Sequence, residues 1–173
     1  MAATIERNRL FNPEGDDTVE HRTIIKGATT GLFNLNVVKY PWAKSLCQVM
    51  VGNFWVPEKV SGLKDDARMF HSDLSPEEQR AYKGVISFLT FLDSLQTVNL
   101  PHFSDYVTSP EVNLILSIQA YQEAIHSQSY AHILESVVDS KERDEIYYFW
   151  RTDKILLERN KYIGQIYQDF IDA

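Results

Sequence analysis

From Tyr40 onward, apolar residues recur along the chain at helical spacing; before it they do not. Residues 1–38 are polar and interrupted by Pro13, Gly15, Gly27 and Gly31, which predicts an extended arm with little regular structure. From 39 to 173 the pattern predicts helices. Pro41 suits a first helical turn, and Ala43 to Phe54 continues it until Pro57 and Gly62 interrupt. The charged run Lys64-Asp65-Asp66-Ala67-Arg68 reads as a solvated surface. Ser75, Pro76 and Glu78 form a start signal of the capping-box type. Nothing breaks the pattern from there to Pro101, about 25 residues or roughly 37 Å of helix. Val85, Phe88, Leu89, Leu92 and Leu95 make a broad apolar arc, so deep burial is expected. Ser109-Pro110-Glu111 repeats the start signal for a second long helix to about Val138, striped by Val112, Leu116, Ala120, Leu134 and Val137. A third segment from about Lys141 to Ile171 is rich in aromatics (Tyr147, Tyr148, Phe149, Trp150) and then amphipathic. Sustained alternation of period two and Asn-Gly or Asp-Gly hairpins are absent, so the class is all-α and the long helices suggest a bundle.

Composition narrows the function. A chain of 173 residues suggests one domain with a sizeable core. A net charge of −7 argues against a nucleic-acid backbone as partner. Cys47 stands alone, so an internal disulfide and a cysteine-based metal motif are excluded, which fits a reducing, cytoplasmic setting. The start of the chain lacks the apolar core of a secretory signal, and no stretch has the apolar length of a membrane span.

The chemistry concentrates on the two long helices. Glu123, His126 and Tyr130 share one helix face, because positions three, four and seven apart lie together. That face is also the apolar stripe of Leu116, Leu134 and Val137. A carboxylate and an imidazole directed into a core are costly unless paired or bound to metal. Asp93 sits with Ile86, Leu89 and Leu100 on an apolar side of the first long helix. An inward Glu-x-x-His beside a carboxylate on a neighbouring helix is the half-site unit of ferritin-like di-iron or di-manganese proteins. The alternatives are a hydrogen-bonded core histidine and a buried ion pair, but no Lys or Arg shares these faces. Tyr147, Tyr148, Phe149 and Trp150 read as core or subunit interface. His21, His71, His102 and His132 lack carboxylates at matching spacing and read as structural or solvent-facing.

Glu-x-x-His alone is a weak signal. The longer pattern is specific: Leu92-Asp93-Ser94-Leu95-Gln96, then Glu123-Ala124-Ile125-His126-Ser127-Gln128-Ser129-Tyr130, with Asn53-Phe54-Trp55-Val56-Pro57-Glu58 upstream. From about Val38 to the end, the chain resembles the small, radical-generating subunit of class I ribonucleotide reductase. The resemblance implies a ferritin-like fold and two Fe or two Mn ions, with Asp93, Glu123 and His126 as ligands to the first. It implies Tyr130 as the radical-bearing tyrosine and Trp55 on the electron-transfer route to a large subunit, where ribonucleotides become deoxyribonucleotides. It also implies a second copy of the small subunit as partner.

The departures from that family are equally specific. Its pattern requires a later Glu and a second Glu-x-x-His. Here Glu135, Glu142, Glu145 and Glu158 follow His126, and none stands three before a His. The chain ends at Ala173 within helical sequence. It is therefore expected to supply the first half of an incomplete bundle, as a truncated sequence or one piece of a split protein, inactive alone, with a separate chain as one source of the missing half. Two other readings remain: a ferritin-like di-metal oxidase or oxygenase of another kind, and a non-catalytic helical fragment or assembly partner. The Ser-x-Ser-Tyr context after His126 disfavours the oxidase, whereas the missing half-site favours the fragment for the chain in isolation.

Overall fold

The computed structural model describes residues 6–173. Six α-helices follow one another: α1 Pro41–Gly52, α2 Leu63–Ser72, α3 Pro76–Ser104, α4 Pro110–Val137, α5 Ser140–Thr152 and α6 Lys154–Asp172. Among the described residues the β structure is one isolated bridge, Ile25 with Val107. The all-α class read from the hydrophobic pattern is what the chain adopts. No helix among the described residues is long and apolar enough to cross a membrane.

The helix starts follow local chemistry. Ser75 and Glu78 close a reciprocal box: Glu78 N donates to Ser75 Oγ at 3.3 Å, and Ser75 N to Glu78 Oε2 at 2.8 Å. Three expectations need correcting. The run at Lys64–Arg68 is solvated but also helical, as part of α2, which buries Phe70 and follows Gly62 in the left-handed region at φ 93°. α3 does not stop at Pro101 but runs to Ser104. Proline costs a helix its hydrogen bond to the residue four back, yet burial of the adjacent Leu100 (5% exposed) favours keeping that last turn wound. The third segment is two helices, divided at Asp153, whose extended backbone (ψ 115°) ends α5 and whose carboxylate caps α6 by accepting from Ile155 N and Leu156 N, both at 3.0 Å.

The chain divides into two compact units, and α3 and α4 contribute to both. The first comprises the described residues up to Phe54 together with Val98–Gln122. Residues before α1 are tied down by polar contacts: Asp17 accepts from Thr29 and Thr30, Gly27 N donates to Thr108 Oγ1 at 3.0 Å, and Arg22 reaches the carbonyls of Val37, Asp17 and Asn34. The second unit, Trp55–Thr97 with Glu123–Ala173, has an apolar core of Phe70, Ile86, Leu134, Val137, Val138 and Ile146. α3 is less buried than its apolar arc predicts. Ile86 is inside at 8% exposed, but Val85 is 55% exposed, because the packed neighbours cover only part of an arc this wide.

Candidate metal centre

All five residues singled out from the sequence lie in the second unit. α3 carries Asp93; α4 carries Glu123, His126 and Tyr130 at the spacing that places them on one face. One ligand atom from each of Asp93, Glu123 and His126 lies within 4.8 Å of the other two. His126 Nδ1 stands 3.1 Å from Glu123 Oε2 and 3.5 Å from Asp93 Oδ2. The two carboxylates are largely covered, with side chains 14% and 15% exposed, while His126 is open at 40%. Among the described residues no lysine or arginine forms an ion pair with Asp93 or Glu123, so pairing with a permanently charged side chain does not explain them.

Tyr130 Oη donates to Asp93 Oδ2 at 2.7 Å. Its ring packs against the core cluster of Ile86, Leu134 and their neighbours. Burial foremost, then the bond to Asp93 and the negative charges of Asp93 and Glu123, push the Tyr130 phenol well above its ordinary value. The ring of Trp55 lies 6.3 Å from that of His126, centroid to centroid, tilted by 33°, and Trp55 is 42% exposed.

Two carboxylate oxygens with no Lys or Arg partner and one imidazole nitrogen suit Fe or Mn. An octahedral ion takes about six donors, so the three residues fit a partial set. Among the described residues this is the one group of His, Cys, Asp and Glu with that geometry. The remaining histidines behave as expected where contacts define them. His71 Nε2 lies 3.0 Å from the Val137 carbonyl oxygen, and His21 Nδ1 2.6 Å from Asp16 Oδ2. The aromatic run is divided: Trp150 packs on Phe91 at 4.9 Å and Tyr147 joins the core, whereas Tyr148 is 53% exposed.

Sequence reasoning did not anticipate the Gln96 side chain, whose Nε2 donates to Tyr167 Oη at 2.6 Å. Tyr167 belongs to no motif, so only the position of Gln96 within Asp-Ser-Leu-Gln could have hinted at a role.

Residues 32–173 match the family "Ribonucleotide reductase, small chain". The chain belongs to that family. It is 44% identical over 168 residues to the ribonucleoside-diphosphate reductase subunit beta of Treponema pallidum, covering 97% of this chain and 47% of that protein. It is 47% identical over 166 residues to the subunit of the same name in Aquifex aeolicus, covering 95% of this chain and 24% of that one. The ribonucleotide reductase R2 subunit from Clostridium botulinum superposes with a TM-score of 0.91 at 43% identity, over 98% of this chain and 52% of that structure. The dimanganese(II)-NrdF of Streptococcus sanguinis shares the fold, with a TM-score of 0.72 at 24% identity over 79% of this chain and 48% of that one. The family resemblance read from the Asp93, Glu123 and Tyr130 motifs, and the ferritin-like helical fold it implied, are thus those of the chain. The chain spans about half the length of the Treponema relative and of the Clostridium structure.

Proposed function

We propose that this small chain provides half of a dinuclear Fe or Mn centre and the tyrosine that carries a radical for ribonucleotide reduction. The observation that carries the reading is the 2.7 Å bond from Tyr130 Oη to Asp93 Oδ2, beside three converging donor atoms. Asp93, Glu123 and His126 would hold the first ion, with the remaining donors supplied from outside the described residues or by solvent. When bound, the metal pair supplies a strong one-electron oxidant. Oxidation of a phenol to a neutral radical releases its proton, and Asp93 Oδ2 is already in place to accept the one on Tyr130. The apolar cluster packed against the Tyr130 ring would shield that side of the radical from water. Trp55 spans from the His126 ring to the surface, which suits a route by which an electron enters from a large subunit that binds the ribonucleotide as the radical passes outward. A second copy of the chain and a complementary half, on the same or another polypeptide, complete the assembly in this reading.

The test is electron paramagnetic resonance on the chain reconstituted with a complementary half, reduced metal and oxygen. Wild type is expected to give an organic radical signal and Tyr130→Phe none, at equal metal content, because the substitution removes a hydroxyl and little volume. An unchanged signal in the variant would make Tyr130 a packing residue and sink the reading.

A further inference from the structure

Gln96 closes the Asp-Ser-Leu-Gln motif, yet nothing in the radical chemistry above uses it. It follows Asp93 by three residues, so the two side chains are neighbours on one helix face, roughly 5–6 Å apart at Cβ. Its Nε2 donates to Tyr167 Oη on α6 at 2.6 Å, and both side chains are half-buried.

The stretch of α3 that bears Asp93 is locally softened. Thr90 Oγ1 donates to the Ile86 carbonyl at 2.8 Å, Ser94 Oγ to the Thr90 carbonyl at 2.6 Å, and Thr97 Oγ1 to the Asp93 carbonyl at 2.8 Å. Hydroxyl bonds of this kind, four residues back, bend helices and weaken them slightly. A carboxylate oxygen lies roughly 6 Å from its helix axis, so a rotation of about 10° displaces it by about 1 Å. Such a displacement breaks a hydrogen bond of 2.7 Å and exceeds the roughly 0.5 Å tolerance of a functional site. The aim of Asp93 therefore depends on what fixes the rotation of this turn.

We propose that Tyr167 is a positioning residue for Asp93: through Gln96, α6 fixes the α3 turn that directs the Asp93 carboxylate at Tyr130, Glu123 and His126. The inference rests on the reading of Asp93 as metal ligand and proton acceptor. Tyr167 touches none of the ligands in this account; it acts by holding Gln96, and Gln96 holds the turn.

Tyr167→Phe, Gln96→Leu and the double variant test the tether, each checked by thermal melting for an intact fold. The first readout needs no metal: the NMR shift of the Tyr130 ring ζ-carbon, which responds to the hydroxyl's bond to Asp93. The second is Mn(II) affinity. Both single variants are expected to move the Tyr130 resonance and to weaken Mn(II) binding roughly tenfold, the lower end of the loss when an outer hydrogen-bond partner is removed. Because the two residues act as one unit, the double variant should be no worse than either single one. Additive effects, or single variants with an unmoved Tyr130 resonance, overturn the proposal. Absence of Mn(II) binding by wild type would instead sink the metal-centre reading, with the Tyr130 resonance still deciding the tether. Should Tyr167→Phe fail to fold, Gln96→Leu carries the same test from the other helix.

Discussion

α4 carries two largely buried glutamates, and they live in opposite surroundings. Glu111, 2% exposed in the first unit, is saturated: Lys39 N and Tyr40 N donate to Oε1 at 2.8 and 3.1 Å, and the buried Arg22 Nη1 to Oε2 at 3.4 Å. It also lies in the first turn of α4, where a negative charge meets the positive end of the helix dipole. Glu123, in the second unit, faces a second carboxylate and a histidine that is 40% exposed. The first arrangement is what a protein builds when a buried carboxylate serves structure. The second leaves negative charge uncompensated by any neighbouring Lys or Arg, which is the arrangement that the proposed cation site requires. A buried acid is thus informative through its partners rather than through its burial.

That contrast can be broken by mutation. Removing one partner of a buried pair strands the other charge, so Arg22→Ala is expected to destabilise the chain by about 3–5 kcal/mol in urea denaturation. A loss under about 1 kcal/mol would mean that the backbone donors alone satisfy Glu111. Metal is expected to act only on the other site. At a hundredfold excess over the dissociation constant, Mn(II) should raise wild-type stability by about 2.7 kcal/mol, and Asp93→Asn should abolish most of that gain. An equal gain in the variant would place the ion elsewhere. Without metal, Glu123→Gln relieves charge crowding and should leave stability within about 1 kcal/mol of wild type, or raise it. A loss as large as that from Arg22→Ala would erase the distinction between the two sites.

The smallest effect concerns acid. Burial by itself would raise the Glu111 carboxyl, but donation from the backbone of Glu111, Lys39 and Tyr40 and from Ser109 outweighs it and holds the group below its ordinary value of 4.5. A depressed carboxylate contributes stability that is fully present above the ordinary value and is lost as pH falls through the folded one. The stability gap between wild type and Glu111→Gln should therefore narrow as pH drops below 4.5. A gap that stays constant in acid would show that Glu111 acts through shape alone.

Much of the candidate centre's geometry was legible in the sequence because much of it is local. A helix repeats every 3.6 residues, so Glu123, His126 and Tyr130 had to share a face once α4 formed, and its start was announced at Ser109-Pro110. Ser75 and Glu78 likewise announced α3 through a contact three residues long. Tertiary structure decided whatever depends on the register between helices. The bond from Tyr130 to Asp93 joins residues 37 apart, that from Gln96 to Tyr167 residues 71 apart, and that from Arg22 to Glu111 residues 89 apart. Periodicity names the faces that meet but not the turn at which they meet; side-chain packing sets that. The same holds for Pro101 and Asp153, where local propensity allowed more than one outcome. At Pro101 the buried turn around Leu100 is wound despite a proline, and at Asp153 a capping carboxylate divides what periodicity alone read as one helix.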